Sequence, residues 1–334
     1  MNASFKKYLL EFKRPAGTSR GVLNTKETYI LELTDSDKKG IGECAIFRGL
    51  SSDDVPEYEE KLEWLVKNIH LAEQELHHEL IHFPSIWFGY EQALQNLKYG
   101  GNIYFPSEFT EGKQPIKING LIWMGSAMYM REQIEDKLAA GFSCIKLKIG
   151  IDWPSERKIL QEIRKDFPAD RIELRVDANG GFSFQEAPQV LSELSELQIH
   201  SIEQPIKAGN WTDMHELCSK TPVPIALDEE LIGINHFEDK KKLLEQIQPQ
   251  YIILKPALVG GFKGCDEWIS LADEQNIGWW ITSALESNLG LNAIAQYTFI
   301  KKNPMPQGLG TGALFTNNFD SALRLEGENL YFAN

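Results

Sequence analysis

A chain of 334 residues, 42% hydrophobic and 25% charged, has a soluble protein's composition and is long enough for a barrel with a smaller companion domain. Its 48 acidic against 34 basic residues, a net charge of −14, exclude the basic surface that nucleic acid or an anionic membrane would need in a partner. No run approaches the roughly 18 apolar residues of a membrane span, MNASFKKYLLEFKR lacks a signal peptide's apolar core, and the scattered Cys44, Cys144, Cys218 and Cys265, with no CxxC pair, suit a reduced cytoplasmic protein without a disulfide frame or zinc site.

From Tyr8 to about Ile46 the pattern alternates, and YLLEFKR, ETYILEL and KGIGECAIF predict antiparallel strands. The Gly- and Ser-rich PAGTSRG, Pro15 to Gly21, reads as a loop between the first two. Asp53 to Ile69 carries acidic residues at its start and apolar residues at helical spacing, which predicts a helix. Strands followed by helices give a small α+β domain over residues 1–110. After about Gln114 the rhythm changes. Short β-branched runs (IKINGLI, SCIKLKI, IELRVDA, IHSIEQP, VPIALDE, YIILKPA, IGWWITS and a weak one near PQGLG) alternate with amphipathic stretches such as REQIEDKLAAG and FEDKKKLLEQIQ. Strand and helix alternating about eight times predict a (β/α)8 TIM barrel over residues 111–312, with residues 313–334 returning to the first domain. A doubly wound sheet is the competing architecture, but no GxGxxG turn follows the first strand. The terminal LRLEGENLYF alternates like a last strand, so its ENLYF, although similar to a protease-tag remnant, is read as native.

Within the barrel strands the charges fall at the C-terminal ends. The second strand ends in Lys146 and Lys148, the third in Asp177, the fourth in Glu203, the fifth in Asp228 and the sixth in Lys255. Beyond Lys148 they recur about every 25 to 29 residues, one β/α repeat, which sets all of them at the end of the barrel where active sites form. A single acidic residue there is as readily a solvated loop charge or a helix cap; three in successive repeats, flanked by lysines, are not. Bare, three carboxylates in one mouth would repel one another. A hard divalent cation resolves that, and oxygen-only ligands favour Mg²⁺ or Mn²⁺ over zinc. A lysine acting as base must spend part of its time neutral, and burial beside other cations moves it that way. The chemistry suggested is proton abstraction next to a carboxylate, with charge stabilised by metal and a second cation.

The set KLKIG, RVDANGGF, IEQP, ALDEE and ILKP closely resembles the muconate lactonising enzyme subgroup of the enolase superfamily, over essentially the whole chain. The resemblance implies that Asp177, Glu203 and Asp228 bind Mg²⁺, that Lys148 is the base tuned by Lys146, and that Lys255 is the cation on the opposite face. It implies an N-terminal capping domain and a small-molecule carboxylate as substrate. It does not fix the oligomeric state.

Three local features resemble the o-succinylbenzoate synthase branch: PAGTSRG as a capping loop with Arg20 facing a substrate carboxylate, Ser283 and Ser287 in ITSALESNLG, and GLGTGALF, where Gly308 and Gly310 offer backbone N–H groups to an anion. That branch implies a Mg²⁺-dependent dehydration in menaquinone biosynthesis, a hydro-lyase activity. A dipeptide epimerase would carry an acidic DxD where Gly308, Leu309 and Gly310 stand; an N-succinylamino acid racemase stays open, with Lys255 as second acid/base. A barrel that binds without catalysing is the non-enzyme alternative, opposed by a chemically competent residue at every expected position. Arg175 and Asn179 share the face of Asp177 and are read equally as substrate contacts or as structural partners. For Arg20 an exposed loop arginine is the ordinary explanation. Glu229 is expected to face away from Asp228, His78 and His82 to lie at the surface or in packing, and one of Trp279 and Trp280 to fill the barrel.

Overall fold

The computed structural model describes residues 1–18, 21–123 and 127–333. Strands β1 (Asn2–Thr18), β2 (Gly21–Asp35) and β3 (Lys38–Cys44) form an antiparallel sheet in chain order. Helices α1 (Tyr58–Lys67), α2 (Glu73–Leu80) and α3 (Pro84–Tyr99) cover one face of it, burying Leu31, Leu33, Leu62, Leu65 and Trp87 between them. The sheet packs on α3 through glycine. A Cβ at Gly42 would lie 1.9 Å from the Gly89 carbonyl oxygen, so no side chain fits there.

Two expectations are corrected in this domain. PAGTSRG is not a loop throughout: β1 continues to Thr18, which stands opposite Gly21, after a register shift between Glu11 and Ala16. Arg20 lies outside the described residues. The helix expected from Asp53 begins only at Tyr58. Asp53 is buried and accepts hydrogen bonds from the Ser85 amide and hydroxyl at 2.9 and 2.7 Å, so its carboxylate serves α3 instead.

The second region alternates strand and helix. In order it contains β4 (Ile116–Lys117), β5 (Gly120–Ile122), α4 (Ala127–Ala139), β6 (Cys144–Lys148), α5 (Trp153–Asp166), β7 (Glu173–Asp177), α6 (Ala187–Glu196), β8 (Ser201–Glu203), α7 (Trp211–Lys220) and β9 (Ile225–Leu227). Helix α8 (Phe237–Ile247), β10 (Tyr251–Leu254), the short α9 (Pro256–Val259), α10 (Gly261–Glu274), β11 (Gly278–Ile281) and α11 (Asn288–Ile300) follow. Strands β5 to β11 form one parallel sheet in chain order. The eighth position is thinner than PQGLG suggested. Gln307 bridges Ile118 on one edge and Gly308 bridges Thr282 on the other, which closes the sheet into a (β/α)8 barrel. Pro306 and two glycines leave that segment without a regular strand.

Inside the barrel floor Trp280 packs with Ala226 and Ile253, while Trp279 turns outward and donates to Asp273 at 3.1 Å. The tail divides its contacts. Residues 314–317 run beside β1, with Lys13 N–H donating to Leu314 and Thr316 N–H to Glu11, both at 2.8 Å. The last hairpin, β12 (Leu323–Glu326) and β13 (Asn329–Phe332), instead extends β4 at the barrel's entry and buries Leu330 and Phe332. Among the described residues no helix is long and apolar enough to cross a membrane.

Candidate active site

Parallel pairing sets the strand ends level. Lys148 stands opposite Asp177, and Asp177 opposite Glu203; Asp228 directly follows β9 and Lys255 directly follows β10. The carboxylates are almost wholly buried, Asp177 at 1%, Glu203 at 2% and Asp228 at 2% exposure. Three lysines lie among them. Lys146 reaches Asp177 at 3.0 Å and also pairs with Glu203. Lys148 donates to Asp177 at 3.0 Å and to the Asn179 side-chain oxygen at 2.5 Å. Lys255 pairs with Asp228 and stands 3.7 Å from Glu203.

Burial and charge compete at each group. Burial alone would raise Asp177, but Lys146 and Lys148 outweigh it and hold this carboxyl well below the usual carboxylate range. Glu203 goes the other way: burial first, then the negative charges of Asp177 and Asp228, push it up to about 8. Asp228 is raised by burial despite Lys255. Burial lowers the ammonium groups of Lys146 and Lys255, yet the surrounding carboxylates prevail and raise both above the ordinary lysine value. Both are therefore fixed cations.

The donor set suits a hard divalent ion. Three buried carboxylates come from adjacent strands, all ligand atoms are oxygen, and among the described residues Glu203 Oε1 accepts no hydrogen bond. Among the described residues no three such groups stand in ready coordinating positions; Lys146 pairs with Asp177 and Glu203, and Lys255 with Asp228.

Apolar residues form one part of the pocket, among them Phe47 and Leu50 after β3 in the capping domain, Trp123 after β5, and Ala284 and Leu285 after β11. Lys146, Lys148, Asp177, Asn179 and Lys255 line it, as do Ser283, Gly308 and Gly310. Asn179 takes a left-handed backbone conformation (φ 43°), which asparagine tolerates. Its oxygen faces Lys148 and its amide donates to Glu229 at 3.0 Å. The Ser283 hydroxyl lies 2.7 Å from that of Thr311. At Gly308 a Cβ would meet the Thr282 hydroxyl at 2.4 Å, so only glycine fits.

Several expectations are corrected here. The Gly308 N–H donates to Ile281 at 2.8 Å and closes the barrel, so it is not offered to an anion. Ser287 does not line the pocket: it caps α11 and donates its hydroxyl to Glu43 at 2.5 Å. Arg175 faces the interior as expected but one layer deeper. It donates to Glu173 at 2.7 Å and Pro306 at 2.9 Å, and its guanidinium lies 4.3 Å from the Trp280 ring centre. Glu229 lines the pocket because the chain leaves the strand at Asp228 (φ −124°, ψ −79°) and enters a short 3₁₀ turn. His82 lies at the surface beside Asn235 and His236. Phe47, Leu50, Trp123 and Thr311 are pocket residues that the sequence reading passes over. Thr311, inside GTGALF next to an already chosen glycine, was the one with a local signal.

The family described as enolase C-terminal domain-like matches residues 129–329, and that described as MenC, N-terminal domain, matches residues 2–97. The chain is 45% identical to an o-succinylbenzoate synthase of Desulfotalea psychrophila, over 98% of each sequence. The crystal structure of MenC from Desulfotalea psychrophila superposes with a TM-score of 0.89 at 42% identity, covering 99% of both chains. A substrate-liganded L-Ala-D/L-Glu epimerase from Bacillus subtilis superposes with a TM-score of 0.86 over 99% of this chain and 96% of that one. At 21% identity, that likeness concerns the fold alone.

Proposed function

The chain belongs to the o-succinylbenzoate synthase family of enolase-like enzymes, and from that premise we propose how its own residues divide the work. The reaction of a synthase is dehydration of 2-succinyl-6-hydroxy-2,4-cyclohexadiene-1-carboxylate to o-succinylbenzoate, a hydro-lyase step of menaquinone synthesis. The observation that carries the assignment is the pair Lys148 and Lys255, on strands to either side of three buried carboxylates and both lining one pocket.

Lys148, in its neutral form, takes the proton from the ring carbon that bears the carboxylate. Asn179, with its oxygen 2.5 Å from the lysine nitrogen, keeps that amine aimed. The electron pair left by the C–H bond moves toward the carboxylate, then forms a ring double bond as the C–O bond to the hydroxyl breaks. Lys148 returns its proton to that hydroxyl, which leaves as water from the same face. Completion of the aromatic ring drives the second half. Lys255 is held as a cation by Asp228 and Glu203 and stabilises negative charge without transferring a proton. Lys146, also a fixed cation, shares Asp177 with Lys148, each ammonium standing 3.0 Å from that carboxylate.

Members of the superfamily use a divalent metal. Asp177, Glu203 and Asp228 would hold that ion, taken as Mg²⁺, and when bound it would polarise the substrate carboxylate and ease proton removal. Four buried free cysteines support a reducing compartment, which we take to be the cytoplasm.

The test pairs two substrates with purified protein and Mg²⁺: the cyclohexadiene carboxylate followed by ultraviolet absorbance, and an N-succinylamino acid followed by polarimetry. Aromatisation is expected. Racemisation without aromatisation would replace the synthase assignment with the racemase one, in which Lys255 must also move a proton. Silence in both assays would mean that the substrate class is wrong.

A further inference from the structure

The capping domain and the barrel meet at a carboxylate that the chemistry above does not use. Glu43, in β3, is fully buried and surrounded by donors. Its oxygens accept from the Ser287 N–H at 3.0 Å, the Ser287 hydroxyl at 2.5 Å, the Gly290 N–H at 3.0 Å and the Thr28 hydroxyl at 2.9 Å. Three of these four donors belong to the first turn of α11, so a side chain of one domain caps a helix of the other. The fit is tight. A Cβ at Gly290 would lie 2.7 Å from Glu43 Oε2, so α11 can come this close only with glycine there. Gln92 of α3 holds the Glu43 main chain on both sides, accepting from its N–H at 3.3 Å and donating to its carbonyl at 3.0 Å. The carboxylate therefore has a fixed origin and a fixed target.

Both walls of the pocket hang from this joint. Downstream of Glu43 on the same segment come Phe47 and Leu50, and upstream of Ser287 in the barrel loop come Ser283, Ala284 and Leu285; all five line the pocket. Two more buried charged groups adjoin the joint, Lys26 from β2 and Glu286 from the barrel loop, each acting electrostatically on its neighbours there. We propose that Glu43 is a positioning residue that sets the distance between the capping wall, Phe47 and Leu50, and the barrel wall, Ala284 and Leu285, and so determines how tightly the apolar body of the substrate is gripped. This deepens the synthase assignment and rests on it for the identity of the substrate. Glu43 touches no reacting atom.

Glu43→Gln keeps the shape and removes the charge, since the Thr28 hydroxyl can turn to accept from the new amide. Charge-assisted bonds to the α11 turn become neutral ones, about half as strong. Two readings of this variant are compared with wild type. The Ser287 and Gly290 amides should exchange with solvent about tenfold faster while the amides of β7 and β8 keep their protection. KM for the cyclohexadiene carboxylate should rise about tenfold with kcat within about threefold, because Lys148 and its partners are untouched. Ser287→Ala, which removes one of the four donors, should move both quantities in the same direction by less, and stands in should Glu43→Gln not fold. Uniform acceleration of all amides, unchanged exchange at Ser287 and Gly290, or a fall in kcat at constant KM would each overturn the proposal. If wild type fails to aromatise the substrate, the synthase assignment falls by itself. Local or non-local exchange in Glu43→Gln then still decides whether the joint holds the barrel loop.

Discussion

Replacing Lys148 by alanine separates the chemistry from the scaffold. The lost amine takes with it one hydrogen bond to Asp177 at 3.0 Å and one to Asn179 at 2.5 Å. Asp177 is not orphaned: Lys146 remains 3.0 Å away, and the Asn179 N–H still donates to it at 3.1 Å. The roughly 3–5 kcal/mol that follows from stranding a buried charge is therefore avoided, and about 1 kcal/mol of stability is expected to go. For a domain of this size that lowers Tm by about 2–4 °C. The rate suffers far more. A general base contributes about 10²–10⁴-fold, and here one group serves both as base and as returning acid, so kcat should fall at least about 10³-fold, equivalent to about 4 kcal/mol. Continuous absorbance gives the rate, circular dichroism gives Tm, and quenching of tryptophan fluorescence by o-succinylbenzoate shows whether the pocket still binds. A variant that keeps kcat within tenfold of wild type would remove Lys148 from the mechanism, and an activity loss matched by unfolding would make the residue structural.

Lys255→Met strips the buried Asp228 of its cation and leaves Glu203 to Lys146 alone, so without metal it should cost about 3–5 kcal/mol. Added Mg²⁺ should recover most of that Tm loss, and an equal deficit with and without Mg²⁺ would deny these carboxylates a metal. Chelation by EDTA should abolish aromatisation and Mg²⁺ should restore it in wild type but not in Glu203→Gln; activity unaffected by EDTA would contradict the ligand assignment. In the capping domain, burial raises Asp53 from 3.8 to about 6 although Ser85 donates to it. A carboxyl raised on folding stabilises fully below its unfolded value, and that contribution is lost as pH rises through the folded value. Between pH 3.8 and about 7, wild type should accordingly lose about 3 kcal/mol more stability than Asp53→Asn, and parallel curves of Tm against pH would exclude this role for Asp53.

The strand-end charges were legible because β6 to β10 each end in, or are directly followed by, a charged residue, and parallel pairing then sets Lys148, Asp177 and Glu203 side by side. Depth and direction were harder to read. Period-two alternation puts Arg175 on the face of Asp177 but does not say that it lies one layer lower, against Trp280. Alternation also fails where a strand stops, and Asp228 ends one, so Glu229 swings into the pocket instead of away. Ser287 looked free to bind a ligand because its partner, Glu43, is 244 residues away in the other domain. Phe47 and Leu50 follow a strand in a segment with no chemical signature, and only the packing of the two domains turns them into a wall of the site. PAGTSRG has a loop's composition, yet its backbone pairs up to Thr18 and from Gly21, since pairing needs extended backbone rather than particular side chains.

The same geometry explains why one fold can serve neighbouring reactions. The carboxylates and lysines that ease loss of a proton beside a carboxylate come from strand ends, while the surfaces that grip the rest of the substrate come from the capping domain and the loops after β5 and β11. Change in those walls can alter the substrate without disturbing the charged centre.

The central claim is that the enzyme breaks the C–H bond next to the ring carboxylate as part of its chemical step. Single-turnover mixing of excess enzyme and Mg²⁺ with substrate deuterated at that carbon isolates this step from product release. Aromatisation several-fold slower than with the protonated substrate is the expected result; identical rates for the two substrates would mean that Lys148 does not remove that proton in the step that limits chemistry.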